Sequence, residues 1–461
     1  MLDQDLVQAT LDVALSTGGE FAEVFVEDRG SMAATLDDGR IEELTSSRDR
    51  GAGIRVISGD TTGFAHTADL TAAGLRAAAS AAAATARSGG STNATALSPS
   101  PSNESGAAIL HETISKPQKV ALLRAADSAA RSVGDAITQV TARYSEGRRR
   151  ILVANSDGLW ADDDQIRTLF SVNAVATGDT GMQTGRETVG YTIGYELFDE
   201  YDIEEMARRA GNRALTKLRA RPAPSGEHPV VIKRGGGGVL FHEACGHGLE
   251  ADLVRKGASV FKDRVGEQVA SKGVTLIDDG TMTKEWGNIA IDDEGHAAQR
   301  NVLIEDGILT DYMWDHLRSR DEGRAPSGNG RRQSYQHLPM VRMTNTFVTN
   351  GDQNPDDIIA DTPNGVYVAQ LGGGQVNTAT GDFVFGMTEA YLIENGEITE
   401  PLREGNLIGN GPQVLLEIDA LGNDFDMGSP GMCGKDGQGV PVGDGQPTLR
   451  VERLTIGGTA A

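Results

Sequence analysis

The chain has 461 residues and a net charge of −24 at neutral pH, from 42 basic and 66 acidic side chains. That balance argues against a general surface for nucleic acid or anionic membrane, and no apolar run approaches the roughly 20 residues of a membrane-spanning helix. The length allows two or three domains, and 59 glycines point to many turns and close backbone approaches.

Residues 3–17 have helical spacing, with Val7, Leu11, Ala14 and Leu15 on one face and Gly18 as the stop. Strands are expected at 20–28, 31–36, 40–47 and 51–58, with a turn at Asp38-Gly39. An Ala-rich helix follows at 69–87, with Asp69 as its N-cap. Residues 88–117 are rich in Ser, Gly, Asn, Thr and Pro and read as a loop or linker. The sequon at Asn93 is expected to be a chance match. A helix at 118–133, started by Pro117, precedes strands at about 137–145, 150–155, 159–162, 166–177 and 186–197. A helix at 202–219 and the prolines Pro222 and Pro224 close this second unit. From 225 onward the chain is β-rich, with hairpin signals at Asp306-Gly307 and Asn395-Gly396. The expectation is an α+β fold: an N-terminal unit over 1–87, a linker over 88–117, a second α+β unit over 118–224, and a β-rich C-terminal domain over 225–461 that carries a short motif helix. The acidic, amphipathic N-terminus is unlike a secretory signal. With two cysteines, a cytoplasmic, disulfide-free protein is expected.

The chemistry concentrates in GGGGVLFHEACGHGLE, residues 235–250. In zinc peptidases of the H-E-x-x-H type, two His four apart on one helix face hold the metal and the Glu acts as general base. Here His242 and His247 are five apart. At ~100° per residue that sets them about 140° out of phase on a regular α-helix. They can converge only if the helix is widened by one residue, as in a π-bulge, or ends before His247. Gly246 and Gly248 flank His247 and permit such a distortion. Glu243 is then the general base. Candidates for a third ligand are Cys433, His296, His316, His337, Glu250 and Asp252. Of these, Cys433 lies in a Gly-rich segment expected to be a loop, and its thiolate is a good zinc ligand. Cys245 reads as a small buried apolar residue.

Further blocks accompany the motif: RDRGAGIRVISGDTTGFAH (48–66), IDDEG (291–295), GNGRRQSYQHLPMVRMTNT (328–346), LGGGQVNTATGDFVF (371–385), EAYLIENGEIT (389–399) and GMCGKDGQGVPVGDGQPTL (431–449). Together, and over essentially the whole chain, they resemble the metal-bearing branch of the TldD/PmbA metallopeptidase family. The resemblance implies a zinc metallopeptidase of extended, unfolded peptides, with His242, His247 and Cys433 as Zn2+ ligands and Glu243 activating a water held on the zinc. It also implies work inside a dimer cavity, as a homodimer or as a heterodimer with a metal-free PmbA/TldE-like subunit. Two alternatives stand beside it: a specialised peptidase of a natural-product or peptide-maturation pathway, and a non-catalytic regulatory subunit.

Other residues carry weaker expectations. Gly372, Gly373 and Gly374 could line a peptide groove or make a bulge. Arg331 and Arg332 could bind a peptide carboxylate, and His337 is the expected oxyanion donor; the competing reading of this cluster is a structural ion-pair network. Asp292, Asp293 and Glu294 could orient a metal-bound His or form a solvated turn. Neither glycine run is a phosphate loop, because no Gly-Lys-Ser/Thr follows.

Overall fold

The computed structural model describes residues 2–86 and 93–458. The last residue of the helix expected at 69–87, the start of the expected linker (88–92) and residues 459–461 lie outside the described residues.

Two units of the same plan build the N-terminal half. The first runs α1 (Gln4–Ala14), β1 (Phe21–Asp37), β2 (Arg40–Ser58), β3 (Thr61–Thr67) and α2 (Ala72–Thr85). The second runs α3 (Lys116–Arg131), β4 (Ile137–Asn155), β5 (Leu159–Gly178), β6 (Gly181–Tyr191) and α4 (Ile203–Leu218). Their strands join into one antiparallel sheet in the order β3-β2-β1-β4-β5-β6, with β1 and β4 paired from Glu23↔Asn155 to Asp37↔Thr141 at its centre. Side chains alternate across a strand, so Val24, Val26, Met32, Ala34 and Leu36 of β1 share one face. The first two pack on α1 and α2, the others on α3 and α4.

Four expected strand breaks are absent. β1, β2, β4 and β5 are each continuous, where the sequence suggested pairs of short strands separated near 29–30, 48–50, 146–149 and 163–165. The polar residues at those breaks stay in the ladder because they satisfy one another across strands: Arg48 and Arg150 both reach Asp28, and Arg148 reaches Asp164. The N-cap of α2 is Thr71, whose hydroxyl accepts from Gly74 N, while Asp69 instead accepts from Thr71 N.

The other face of this sheet packs on the C-terminal domain. Phe25, Ile151 and Val153 meet Ile291 and Tyr335 in a small apolar cluster. Around it, Arg55 bridges Glu23 and Glu294, Arg332 pairs with Glu23, and Arg149 bridges Glu27 and Asp293. Gly51 lies where any Cβ would overlap the Tyr335 ring, so this contact requires glycine.

In the C-terminal domain, β7 (Gly226–Ile232) opens a sheet that also contains β10 (Asn364–Val376), β11 (Asp382–Glu394), β12 (Gly405–Asn410) and β15 (Leu449–Gly458). The pairings β10–β7–β15–β12–β11 return through β11–β10, so these five strands form a closed ring. A second sheet holds β8 (Leu276–Asp279), β9 (Asn345–Val348) and β14 (Gln438–Gln446), with β13 (Gly431–Lys435) folded back on β14 as a hairpin. The short helix α5 (Gly238–Phe241) lies between the two sheets, and Leu240, Phe241, Ala244 and Cys245 are in their shared core.

Candidate metal centre

After α5 the helix widens. Residues His242–Gly246 form a π-helical turn, in which His247 N–H bonds to the His242 carbonyl, five residues back. A 3-10 turn over His247–Leu249 then ends the segment. The i→i+5 bond stacks residues five apart above one another. The two imidazoles consequently face the same way, with ring centroids 5.1 Å apart and planes at 86°. Gly246 has no room for a Cβ beside Met343, and Gly411 none beside the Ala244 carbonyl, so the widened turn is packed closely on both sides.

Cys433 completes the group. Its Sγ lies 3.2 Å from His242 Nε2 and 3.3 Å from His247 Nε2, and the three ligand atoms all fall within 4.8 Å of one another. Cys433 is on strand β13, and not in a loop as the glycine content suggested. The sharp turn is Asp436-Gly437, both at positive φ, an Asp-Gly hairpin signal masked by the many surrounding glycines. All three side chains are buried. Burial pushes the Cys433 thiol up, but His242 and His247 outweigh it and hold the thiol down at about 4. The two imidazoles thus favour the thiolate form of Cys433, and it in turn favours their protonated forms.

Glu243 is partly exposed, and its Oε2 lies 3.9 Å from His247 Nε2. On the far side of the ring, His247 Nδ1 donates to Glu250 Oε2 at 3.0 Å. Glu250 also accepts from Lys435 Nζ, which reaches Asp252 as well. Burial would raise the Glu250 carboxyl, yet His247 and Lys435 hold it down at about 2. Glu250 and Asp252, weighed as ligands, thus form a charged bracket behind His247. Lys435 was not anticipated from sequence. His242 Nδ1 is buried with no hydrogen-bond partner among the described residues.

Two imidazole nitrogens and one thiolate within 4.8 Å fit a borderline-soft divalent ion such as zinc. The Nδ1–carboxylate bond of His247 is the usual device for aiming a ligating imidazole. Cys245 is buried, donates Sγ–H to the Phe241 carbonyl and is pushed up to about 12 by burial, so it behaves as a core residue.

The remaining expected residues are not part of the group of three ligand atoms. His296 and His316 stack on each other at 7° between planes, beside Glu294. Asp292, Asp293 and Glu294 are all buried rather than in a solvated turn. Asp293 and Glu294 pair with Arg149 and Arg55 of the N-terminal sheet, while Asp292 accepts from the Glu294, His296 and Gly330 amides of its own domain. Arg332 is fixed there too, by Glu23, the Asp293 carbonyl and the Phe25 ring. Arg331 donates to the Met343 carbonyl and is otherwise turned to a cavity. His337 Nδ1 lies 2.8 Å from Ser334 Oγ. Gly372 and Gly374 sit in an irregular part of β10, where the register with β11 shifts. A Cβ on Gly374 would overlap the Phe385 ring, while Gly373 is open to solvent.

Sequence models of the PmbA/TldA metallopeptidase domains match this chain in order: domain 1 over residues 22–86, the central domain over 110–218 and the C-terminal domain over 225–458. The chain belongs to the PmbA/TldA metallopeptidase family. A protein named metalloprotease TldD homolog, from Haemophilus influenzae, is 40% identical over 95% of this chain and 93% of its own length. A Saccharolobus solfataricus relative named zinc metalloprotease TldD homolog is 33% identical over 61% of this chain and 62% of its own. The crystal structure of TldE from Thermococcus kodakarensis superimposes with a TM-score of 0.77 at 20% identity, covering 98% of this chain and 99% of that one, and so shares the fold. At family level the protein is a metallopeptidase. No helix among the described residues is long and apolar enough to cross a membrane.

Proposed function

We propose that this chain is a zinc-dependent peptidase of extended, unfolded peptides. The observation that carries the reading is the convergence of His242 Nε2, His247 Nε2 and Cys433 Sγ, with the Glu243 carboxylate alongside. These three side chains would hold the zinc. When bound, it polarises the scissile carbonyl and makes water a stronger nucleophile at neutral pH. Glu243 accepts the proton of the attacking water and passes it to the departing amine. Glu250 and Lys435 keep the His247 ring aimed. His337, with Ser334 on its Nδ1, is assigned to the developing oxyanion.

The substrate main chain would add to a strand edge, which accepts many sequences because it reads only backbone. Strand β13 offers such an edge: among the described residues it pairs with β14 alone, and Gly434 has open space where a side chain would stand. Gly373 of β10 is open in the same sense and is assigned to the peptide's path. A folded protein keeps most of its backbone paired internally and offers few free extended segments to such an edge. Activity is assigned to a dimer, with a second copy or a metal-free PmbA/TldE-like subunit enclosing the cavity.

The test is hydrolysis of an unfolded polypeptide by zinc-loaded wild type and Glu243→Gln. Loss of a general base costs on the order of 10²-fold or more in rate. Equal turnover by the variant would refute the assignment.

A further inference from the structure

The polar centres of β1, β4 and β5, which look like strand breaks in sequence, line one cavity. It has a volume of about 410 Å3 and lies between the N-terminal sheet and the β13–β14 hairpin. Its walls contain seven arginines and only two carboxylates, Glu146 and Asp293. In a protein of net charge −24, this is a local reversal of sign.

Three of the arginines have carboxylate partners: Arg148 with Asp164 and Glu112, Arg149 with Glu27 and Asp293, and Arg332 with Glu23. Arg29, Arg143, Arg167 and Arg331 pair with no carboxylate among the described residues. Arg29 and Arg143 are exposed. Arg167 is 9% exposed and bonds only to neutral groups, the carbonyls of Trp286 and Asn288 and the Gln165 amide. Arg331 is 4% exposed and donates only to the Met343 carbonyl. Burial, and then the charges of Arg331 and Arg149, hold Arg167 down at about 9. Asp293 acts on both guanidiniums at longer range, but neither has a carboxylate in contact. A buried cation so placed is costly, and an arriving anion relieves that cost.

The cavity adjoins the metal centre. Met432 lines it and the ligand Cys433 is the next residue; Gly439, Val440 and Pro441 of the facing strand line it as well. Trp286, also in the wall, donates Nε1–H to the Gly431 carbonyl and ties the start of β13 to it. Met432 and Cys433 point to opposite faces of the hairpin. A peptide laid along the free edge of β13 would alternate its side chains in the same way, one set toward the metal ligands and the other toward the arginines.

We propose that this arginine cavity binds a carboxylate of the peptide substrate, either an acidic side chain or the C-terminus, and so gives the enzyme a preference for anionic peptides. This rests on the peptidase reading above. Guanidinium pairs a planar carboxylate through two parallel bonds, and four unpaired guanidiniums leave room for more than one register.

The test uses fluorescein-labelled unfolded peptides on the zinc-loaded Glu243→Gln protein, read by anisotropy, beside cleavage by wild type. One arm compares a free C-terminus with its amide in a peptide lacking Asp and Glu. The other compares one internal Glu with Gln in an amidated peptide. At least one arm should favour the acid by about tenfold in Kd, the factor given by one charge-assisted bond worth ~1.4 kcal/mol. Arg143→Gln, at an exposed position, and Arg331→Gln should each reduce that ratio. Equal affinities in both arms, or a ratio untouched by both substitutions, would overturn the proposal. Cleavage without charge preference would overturn this inference alone. Charge-selective binding with no cleavage by wild type would overturn the peptidase reading and leave the cavity's role standing.

Discussion

His247 Nδ1 lies 3.0 Å from Glu250 Oε2, which fixes that nitrogen as the donor and leaves Nε2 to face Cys433. Glu250 is fully buried and anchored by Lys435. Glu250→Gln should therefore weaken zinc binding by about 10- to 100-fold, the usual effect of losing the group that orients a ligating His. Competition against a chromophoric chelator measures it. Unchanged affinity would mean that the His247 ring is aimed by its packing alone.

The widened turn that brings the two His together is wedged against a neighbour. A Cβ on Gly411 would overlap the Ala244 carbonyl inside the π-helical turn. Backbone cannot yield as a side chain can, so Gly411→Ala should cost roughly 1–3 kcal/mol, as overpacking does. It should also lower zinc occupancy, because the displaced turn carries both imidazoles. Thermal unfolding and metal analysis of the same sample check both halves. A drop in Tm with full occupancy would show that the ligands are insulated from this contact.

Glu285 gives a pH signature away from the metal. Burial, followed by repulsion from Asp426, pushes its carboxyl up to about 7. A carboxyl raised in the folded state binds its proton more tightly there than in the unfolded chain. Its contribution is then neutral below about pH 4.5 and turns destabilising as pH rises toward 7. Glu285→Gln should raise Tm at pH 8 and leave it unchanged near pH 4.5. A difference that is the same at both values would mean that the effect is not titration of this group.

Much of the site was legible because its chemistry is local. The five-residue spacing of His242 and His247 requires a distortion, and flanking glycines mark where it can occur; the π-helical turn is that distortion. Cys433 was identified as a candidate from residue type, but its strand was not, because one Asp-Gly turn is hard to single out among so many glycines. The bracket of Glu250, Asp252 and Lys435 spans residues 185 apart in sequence and leaves no periodic trace. The strand breaks expected near Gly30 and Gly147 show the same limit from the other side. Runs of Asp, Glu and Arg look like turns until their partners on neighbouring strands are known. Those same runs then prove to be the walls of the arginine cavity.

The most direct test of the central claim is metal content per chain, measured after gel filtration on wild type and on Cys433→Ser. About one zinc per chain in wild type and a marked loss in the variant are expected. Stoichiometric zinc in both proteins, or none in wild type even after zinc is supplied, would contradict a centre built from His242, His247 and Cys433.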